Sequence, residues 1–295
     1  MNFLLLFTLG VIWGTSYLFI KVAVAEVPPF TLVAGRLGLA SVAMWAVARL
    51  RGDKFPRDRR LWLTYAMTGF FNGALPFSLI TWGEQYISSG LAALLQAFTP
   101  IATVILAHFL THDDRVNSSK LLGVLLGFLG VGVLLLPELR AGLTVSLWGM
   151  VAIIASSVSY AMGAIVARRR LSGQPPLVSA AGQFTMGFVY ILPLTLVLDP
   201  PLTSVPSAPV LASWVTLALL GTVAAYAIYY PLLARTNATF VTSVTYLIPI
   251  TGLILGAVFL HERLTWMISL SLALVMAGVV LVRSGGNTNK RVNES

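Results

Sequence analysis

Long apolar runs, separated by short polar breaks, follow one another along almost the whole chain. A helix needs about 20 apolar residues to cross the hydrocarbon core of a bilayer, and ten runs approach or exceed that length. They cover roughly residues 3–22, 30–48, 61–82, 89–110, 118–136, 146–167, 177–198, 209–233, 239–260 and 265–282. Prolines, glycines, asparagines and charged residues mark the breaks, as they do at helix ends. The pattern predicts an all-α integral membrane protein with ten transmembrane helices.

Short motifs recur in the same order in the two halves of the chain. Ser16-Tyr17 is echoed by Ser159-Tyr160, and Pro100 by Pro249, which lies 149 residues later. Ordered self-similarity of this kind indicates internal repeats, here two units of five helices. Because five is odd, the second unit is inverted in the membrane relative to the first. Inverted repeats build transporters whose binding site lies between the halves, near the bilayer midplane.

The predicted units are residues 1–140 and 141–284, followed by a polar cytoplasmic tail, 285–295, that we expect to be disordered. With a cytoplasmic N-terminus, 15 of the 19 lysines and arginines fall in cytoplasmic segments, three fall at external ends, and Arg36 falls within a span. This distribution obeys the positive-inside rule. It predicts that both termini lie on the cytoplasmic side of a bacterial inner membrane.

The composition supports the membrane class and excludes several chemistries. Hydrophobic residues make up 57% of the chain and charged residues 10%, whereas soluble domains carry about 25% charged residues. The net charge of +9 sits in short loops, so we expect no nucleic-acid partner. The chain has no cysteine, which excludes disulfides and thiol catalysis. His108 and His112 are four residues apart but lack an HExxH pattern, and we predict no metal site and no cofactor.

Polar and aromatic side chains inside the spans recur at helical spacing. A polar side chain in hydrocarbon seeks a neighbouring helix or water, so faces from several helices could converge on one cavity. Serine, threonine and glycine at such spacing also occur in helix-packing seams, an interpretation that best fits Gly123 with Gly127 and Gly252 with Gly256. The candidate cavity residues are Trp13, Tyr17, Arg36, Asn72, Phe77, Gln96, Thr99, Ser159, Tyr160, Gln183, Tyr226, Tyr230 and Tyr246.

Arg36 is the candidate with the strongest physical constraint. A charge in hydrocarbon costs several kcal/mol unless it faces protein or water. Arg36 therefore forms an ion pair, with Glu84 or Glu26, or contacts a substrate carboxylate. Glu84 is also the candidate proton carrier for coupling, whereas Lys21 can snorkel to the outer surface.

Two prolines, Pro100 and Pro249, lie in the middle of predicted spans. A proline at such a position frees a backbone carbonyl and lets the helix bend. Both residues are therefore hinge candidates, with a simple kink as the alternative.

The opening stretch Trp13-Gly14-Thr15-Ser16-Tyr17, followed by Lys21, a proline corner and Arg36, resembles that of EamA-type members of the drug/metabolite transporter superfamily. The stretch from Pro249 to Leu264, which ends in Phe-Leu-His-Glu-Arg-Leu, resembles the signature that ends the ninth helix of that family. The resemblance covers both halves and implies the ten-helix fold. It also implies export of amino acids, other metabolites or toxic compounds, and the chain looks most like YddG-type exporters of aromatic amino acids.

The first half departs from the family pattern in one place. It has His112-Asp113-Asp114 where a Gly-Glu pair is common. This departure weakens any role of a carboxylate there and favours a packing or capping role for Glu262.

The main hypothesis is an inner-membrane exporter, not an enzyme, that moves aromatic or large neutral amino acids by alternating access. Arg36, or helix ends freed by the two prolines, would hold the substrate carboxylate, and Gln96, Gln183 and Asn72 would supply hydrogen bonds. We expect membrane lipid as a further partner and a monomer or weak dimer. The alternatives are export of other metabolites or toxic cationic drugs, a channel, and a membrane enzyme for lipid-linked substrates that would use His112-Asp113-Asp114.

Overall fold

The computed structural model describes residues 2–110, 117–140, 144–171, 173–235 and 244–293, and within these ranges every regular element is a helix. In chain order they are α1 (Asn2–Ala23), α2 (Pro29–Leu50), α3 (Arg59–Gly69), α4 (Leu75–Gly83), α5 (Ser89–Gln96), α6 (Thr99–Leu110), α7 (Ser118–Arg140), α8 (Val145–Arg170), α9 (Pro176–Leu198), α10 (Ala208–Ala218), α11 (Ala225–Arg235), α12 (Val244–Phe259) and α13 (Trp266–Asn293). The predicted cluster His112-Asp113-Asp114 lies outside the described residues.

Seven helical segments in the described ranges are long and apolar enough to cross a membrane, each at the position of a predicted span. They are Asn2–Ala23, Pro29–Leu50, Ser89–Leu110, Ser118–Pro137, Val145–Arg170, Pro176–Leu198 and Ala208–Tyr229. The other three predicted spans fall on α3 with α4, on α12 and on α13. The first is interrupted between α3 and α4, and the apolar parts of the other two are shorter, Leu247–Phe259 and Trp266–Val282. The chain is therefore an all-α, multi-pass membrane protein, while the count of ten spans stays a prediction.

The last helix is longer than the sequence pattern indicates. It continues past the predicted end of its span and through most of the expected tail, to Asn293. No proline follows Trp266, so nothing in the segment removes a backbone hydrogen-bond donor from the helix. The helix thus includes residues 285–293 of the predicted tail, and disorder of the tail stays a prediction.

Two π-helical segments interrupt the helices at matched places. The first, Phe70–Ala74, joins α3 to α4, and the second, Leu219–Ala224, joins α10 to α11. Their first residues are 149 residues apart, the offset that separates Pro100 from Pro249. A π-helical turn widens the helix and occurs often at functional sites.

Side-chain hydroxyls supply hydrogen bonds to backbone carbonyls at both π-helical segments. Ser159 Oγ of α8 donates to the Phe71 carbonyl at 2.8 Å. Thr222 Oγ1 donates to the Leu217 carbonyl at 3.0 Å. Because hydrocarbon supplies no water, such side-chain donors are what let a membrane helix depart from regular geometry.

Glycines allow several helix backbones to approach closely. A Cβ atom added to Gly123 would lie 2.5 Å from the Gly278 carbonyl oxygen, and one added to Gly278 would lie 2.5 Å from that of Gly123, so α7 and α13 touch along their backbones. Gly127 faces the Ile101 side chain, and Gly252 faces Ala93. The prediction that these glycines form helix-packing seams is confirmed.

The first two helices pack mainly against the second half of the chain. α1 lies along α12 and α10, and α2 lies along α9. Gly14 fits against Thr251, and Gly35 fits against the Trp214 ring. Residues on the inner faces of α1 and α2 are therefore placed between the two halves.

We predict that Gly123→Ala lowers the thermal unfolding midpoint of the protein in detergent. The added methyl group would meet the Gly278 carbonyl and separate α7 from α13, and overpacking of this kind costs about 1–3 kcal/mol. The matched control is Gly132→Ala in the same helix, where no described atom lies within 4 Å of the added Cβ. Equal midpoints for the two variants would contradict the close contact.

Candidate functional site

Arg36 lies two turns into α2, and only 6% of its surface is exposed. Its guanidinium carbon lies 4.0 Å from the centre of the Phe77 ring of α4. Its Nε donates to Thr222 Oγ1, in the second π-helical segment, at 3.2 Å. A cation over a ring gains about 2 kcal/mol when desolvated, which offsets part of the cost of burying the charge. Elements from both halves of the chain thus hold this guanidinium.

Neither of the predicted ion-pair partners hydrogen-bonds Arg36. The Glu26 carboxylate accepts hydrogen bonds from Ser207 N and Oγ, at 2.6 and 2.7 Å, on the protein surface. These two bonds, first the backbone one, hold the pKa of Glu26 below its usual range. The Glu84 oxygens have no hydrogen-bond partner among the described residues. Arg36 therefore forms no hydrogen-bonded ion pair with either carboxylate, although it interacts electrostatically with Glu84.

Aromatic rings extend from Arg36 across five helices. The Phe77 ring lies 6.4 Å from that of Tyr160 and 6.3 Å from that of Phe184. Phe184 and Tyr226 are 5.3 Å apart, edge to face. Offset and edge-on ring pairs at such distances are favourable. We call the set the Arg36–aromatic cluster, which consists of Trp13, Arg36, Phe77, Tyr160, Phe184, Tyr226 and Tyr229.

The second π-helical segment shapes one side of the cluster. A Cβ atom added to Gly221 would lie 3.0 Å from Ser16 Oγ and 3.7 Å from Arg36 Nη2. The bare backbone of Gly221 therefore faces the guanidinium, beside the Thr222 hydroxyl that accepts its Nε. Ala181-Gly182-Gln183 repeats Ala34-Gly35-Arg36 in the second half, so Gln183 is the repeat counterpart of Arg36. Gln183 lies within hydrogen-bonding reach of the Tyr226 hydroxyl.

The structure brings together about half of the predicted cavity residues. Trp13, Arg36, Phe77, Tyr160 and Tyr226 belong to the cluster, and two further candidates lie beside it. These are Gln183 and Tyr17, which interacts electrostatically with Arg36 and Tyr160. The Tyr230 and Tyr246 side chains lie outside the described residues.

Two members of the cluster were not among the predicted residues. Tyr229 belongs to a group of tyrosines that the sequence places on one predicted span, with Tyr226 one turn away. Phe184 is adjacent to Gln183, but in sequence it looks like any core phenylalanine. No pattern in the chain distinguishes it.

Three of the predicted polar residues are bound by other helices instead. Gln96 Nε2 donates to Ser157 Oγ at 3.1 Å and to Thr99 Oγ1 at 2.9 Å, while its Oε1 accepts from Ser156 Oγ at 2.8 Å. Gln96 therefore joins α5 to α8, and Thr99 joins the start of α6 to Gln96. Ser159 donates to the first π-helical segment, as described above.

Asn72 has a packing contact that the sequence does not reveal. Its side-chain amide occupies the space over Gly163 of α8, where a Cβ atom would collide with it. The first π-helical segment thus rests on α8 through Asn72, whereas the second presents Gly221 and Thr222 to Arg36. Matched positions in the two halves differ in what they contact.

The two candidate hinges differ in their local structure. Pro100 stands in the first turn of α6, immediately after the helical chain breaks at Ala97 and Phe98. Pro249 lies inside α12, which is continuous around it. A kink at Pro100 follows from the lost helix hydrogen bond, and movement at either proline stays a prediction.

Lys21 and Glu84 lie close together at the end of α4. Lys21 Nζ donates to the backbone carbonyls of Glu84 at 2.5 Å and Ile87 at 2.8 Å, so it does not extend to the surface as its sequence position predicts. A cation on these carbonyls complements the negative end of the α4 dipole. The Glu84 side chain is fully buried, with 0% exposed.

Glu262 caps a helix of the other half of the chain. Its Oε1 accepts hydrogen bonds from Ser89 N at 2.6 Å and Ser89 Oγ at 2.9 Å, and its Oε2 accepts from Gly90 N at 2.9 Å. The capping role that the sequence favours for Glu262 is confirmed.

An apolar groove of about 530 Å³ lies between α6, α7 and α8. Its walls include Phe98, Phe128 and Val158, and it shares no residue with the Arg36–aromatic cluster. Because its lining is almost entirely hydrocarbon, the groove offers no directional contacts to a polar solute. We therefore place the candidate site at the cluster.

The chain matches the EamA-like transporter family twice, over residues 1–136 and 147–284. It is 30% identical to a probable amino-acid metabolite efflux pump of Escherichia coli strain K12 over 283 residues, covering 92% of this chain and 91% of that protein. It is 26% identical to the uncharacterized transporter YvbV of Bacillus subtilis strain 168, over 97% and 93% of the two chains.

Two further similarities extend this result. The uncharacterized inner membrane transporter YedA of Escherichia coli strain K12 is 28% identical over 95% of this chain and 90% of its own length. One solved crystal structure superposes with a TM-score of 0.67 over 95% of both chains. At 20% identity that structure shows a shared fold alone.

We predict that Gln96→Leu lowers the thermal unfolding midpoint, because the change removes the hydrogen bonds between α5 and α8. Loss of one partner in a buried polar pair costs about 1–3 kcal/mol. Gln85→Leu, at an exposed position, is the matched control and should leave the midpoint unchanged. Normal stability combined with altered substrate preference in Gln96→Leu would instead place this amide in the binding site.

Proposed function

Because the chain belongs to the EamA-like transporter family, we propose that it exports amino acids with aromatic or large neutral side chains across the inner membrane. A relative named as a probable amino-acid metabolite efflux pump supports the substrate class, and one named as an inner membrane transporter supports the location. The observation that carries the proposal is the Arg36 guanidinium, buried among aromatic rings with no hydrogen-bonded carboxylate of its own.

The proposed architecture is ten transmembrane helices in two inverted five-helix repeats, residues 1–140 and 141–284, with both termini in the cytoplasm. The double family match and the matched π-helical segments support the repeat. The distribution of lysines and arginines supports the orientation. The two halves would move against each other and expose the space between them to one side of the membrane at a time.

Each part of an amino acid has a matching group in the Arg36–aromatic cluster. The substrate carboxylate would bind the guanidinium, whose fork of N–H donors suits a carboxylate in both charge and shape. The Phe77, Phe184 and Trp13 rings would hold a large side chain. The hydroxyl of Tyr226 and the amide of Gln183 are neutral polar groups suited to the amino group.

The same electrostatics disfavour cationic drugs as substrates. A guanidinium held without a hydrogen-bonded carboxylate repels a second cation in a low-dielectric site. Export of other anionic or zwitterionic metabolites is compatible with the same site. For the lipid-linked enzyme hypothesis, the residues it needs lie outside the described ranges, and no contact in the described part favours it.

We also propose that Glu84 carries the coupling proton. The carboxyl is fully buried, and its oxygens have no hydrogen-bond partner in the described part of the chain. Lys21 is near but is held on backbone carbonyls. A buried carboxyl in this setting can bind and release a proton as the surrounding helices move.

Liposomes that contain only the purified protein should show saturable phenylalanine counterflow, which tryptophan inhibits and threonine does not. Phenylalanine amide, which lacks the carboxylate, should compete at least about tenfold more weakly than phenylalanine, as loss of a charged hydrogen bond implies. In Arg36→Gln the two competitors should become equally weak, because the group that distinguishes them is gone. A variant that still prefers phenylalanine would remove Arg36 from carboxylate binding.

Threonine at position 222 provides the control for this test. Thr222→Val removes the hydroxyl that accepts Arg36 Nε but keeps the positive charge. We expect weaker phenylalanine binding with the preference over phenylalanine amide retained. Full loss of the preference in Thr222→Val would mean that the position of the guanidinium, and not its charge alone, determines recognition.

Glu84→Gln should retain phenylalanine counterflow but lose its response to an imposed pH gradient. The amide keeps the size of the carboxyl and cannot take up or release a proton. Asp53→Asn, at a partly exposed position in the connection between α2 and α3, is the matched control and should respond normally. An unchanged pH response in Glu84→Gln rejects Glu84 as the proton carrier and leaves the substrate proposal intact.

A further inference from the structure

Three carboxylates bind the first turns of helices that lie in the other half of the chain. Glu262, described above, binds the start of α5. Glu26 accepts from Ser207 N and Oγ at the start of α10. Asp199 accepts from Thr31 N at 2.5 Å and from Thr31 Oγ1 at 2.8 Å at the start of α2. The partners are 168 to 181 residues apart in sequence.

The three contacts share one chemistry. In each, a carboxylate accepts both the backbone N–H and the hydroxyl of a single serine or threonine. The first N–H groups of a helix have no partner within the helix, and the positive end of its dipole favours an anion. These are charge-assisted hydrogen bonds, which are shorter and stronger than neutral ones. Each contact therefore ties one half of the chain firmly to the other.

All three contacts lie on the same side of the proposed topology. They involve four connections: α1 to α2, α4 to α5, α9 to α10, and α12 to α13. With a cytoplasmic N-terminus, each of these four connections is external. In the described residues of the opposite side, the carboxylate cap is local, between Asp58 and Arg60 N. Contacts between the halves on that side include arginines, since Arg169 donates to the Leu110 carbonyl and Arg170 to Met67 Sδ. What distinguishes the external side is that carboxylates make the contacts.

Glycines on α5 and α12 leave space for the Glu262 carboxylate. Its carboxylate sits in a slot whose walls are Gly90 of one half and Gly256 of the other, where added Cβ atoms would meet Oε2. His261 adopts a left-handed backbone conformation, with φ of 54°, and so turns the chain directly after α12. This turn directs Glu262 back onto α5.

Lys21 holds the start of α5, which is the part of this contact that lies in the first half of the chain. It joins α1 to the connection that leads from α4 into Ser89. Lys21 therefore ties the start of α5 to α1, and a displacement of α5 away from the end of α12 has to break the Glu262 contact. Glu26 is exposed and Asp199 partly so, and water can replace their partners more readily.

We propose that Glu26, Asp199 and Glu262 form an outer latch, which closes the external side of the transporter and must be released before the Arg36–aromatic cluster opens outward. The proposal rests on the proposed transport function and orientation. Under this proposal, the structure corresponds to the state of the transporter that is closed to the external side. Loss of the latch carboxylates shifts the protein toward a state open to the outside.

The chain has no cysteine, so pairs of introduced cysteines can report the movement directly. We would attach spin labels at Gln85→Cys and Arg263→Cys on the latch side, and at Lys54→Cys and Gln174→Cys on the opposite side. All four positions are exposed, and each pair joins the two halves. Distance distributions would be measured by pulsed electron paramagnetic resonance in lipid nanodiscs without substrate.

In the parent protein the latch-side pair should show one short, dominant distance. Glu262→Gln, and the double variant Glu26→Gln with Asp199→Asn, should each increase the ratio of long to short distances by about tenfold, as loss of a charge-assisted hydrogen bond implies. The opposite pair should become shorter at the same time. Ser89→Ala, which keeps both backbone donors, should cause a smaller shift in the same direction.

Asp58→Asn is the matched control, because it neutralises a carboxylate that caps a helix without joining the two halves. It should leave both distributions unchanged. Unchanged distances in Glu262→Gln and in the double variant would overturn the latch, as would an equal shift in Asp58→Asn. If Glu262→Gln does not fold, judged by gel filtration, the double variant decides the question alone.

The distances do not depend on transport, so the two proposals fail separately. A shift without any amino-acid flux keeps the latch and rejects the substrate. Flux with unchanged distances keeps the substrate and rejects the latch.

Discussion

Hydrocarbon supplies no hydrogen bonds, and most polar contacts in this protein follow from that constraint. The regular helices satisfy their own backbone groups, but two π-helical segments depart from that regularity. Hydroxyls of Ser159 and Thr222 donate to carbonyls at these segments. Lys21, which is partly buried, binds two carbonyls at the end of α4. Polar side chains that look like candidate ligands in the sequence are therefore often required by the fold.

Arg36 differs from these residues because the fold does not fully neutralise it. Gln96 is buried to a similar extent but is neutral, and its amide nitrogen and oxygen are bound to neighbouring helices. The Arg36 guanidinium has an aromatic ring below it and one threonine hydroxyl beside it. A buried cation in that environment is stabilised further by an anion from outside the protein. The substrate proposal therefore rests on Arg36 and not on the side-chain amides.

The proposed repeat sets a symmetric frame in which the two halves have diverged. The π-helical segments lie at matched positions, but the first places Asn72 against α8 and the second places Gly221 and Thr222 against Arg36. Arg36 itself is matched by the neutral Gln183. The site is therefore asymmetric although the proposed repeats are related by symmetry. An asymmetric site suits a substrate that has a charged end and an apolar end. The carboxylate contacts between the halves add a second asymmetry, since those in the described residues lie on one side.

The sequence alone determined the membrane class and the positions of the seven spans found in the described residues, because apolar length and the prolines, glycines and charges at helix ends are local properties. It also identified Arg36, since a lone cation in a span is conspicuous at any position. Only the tertiary structure decided which polar faces meet. Gln96, Thr99 and Ser159 recur at helical spacing as the predicted members of the Arg36–aromatic cluster do, and the partner helix, not the spacing, determines what each contacts. Phe184 and the caps between the halves were hidden for the same reason. Phe184 contacts rings of two other helices, and the caps have partners 168 to 181 residues away, so no local pattern encodes them.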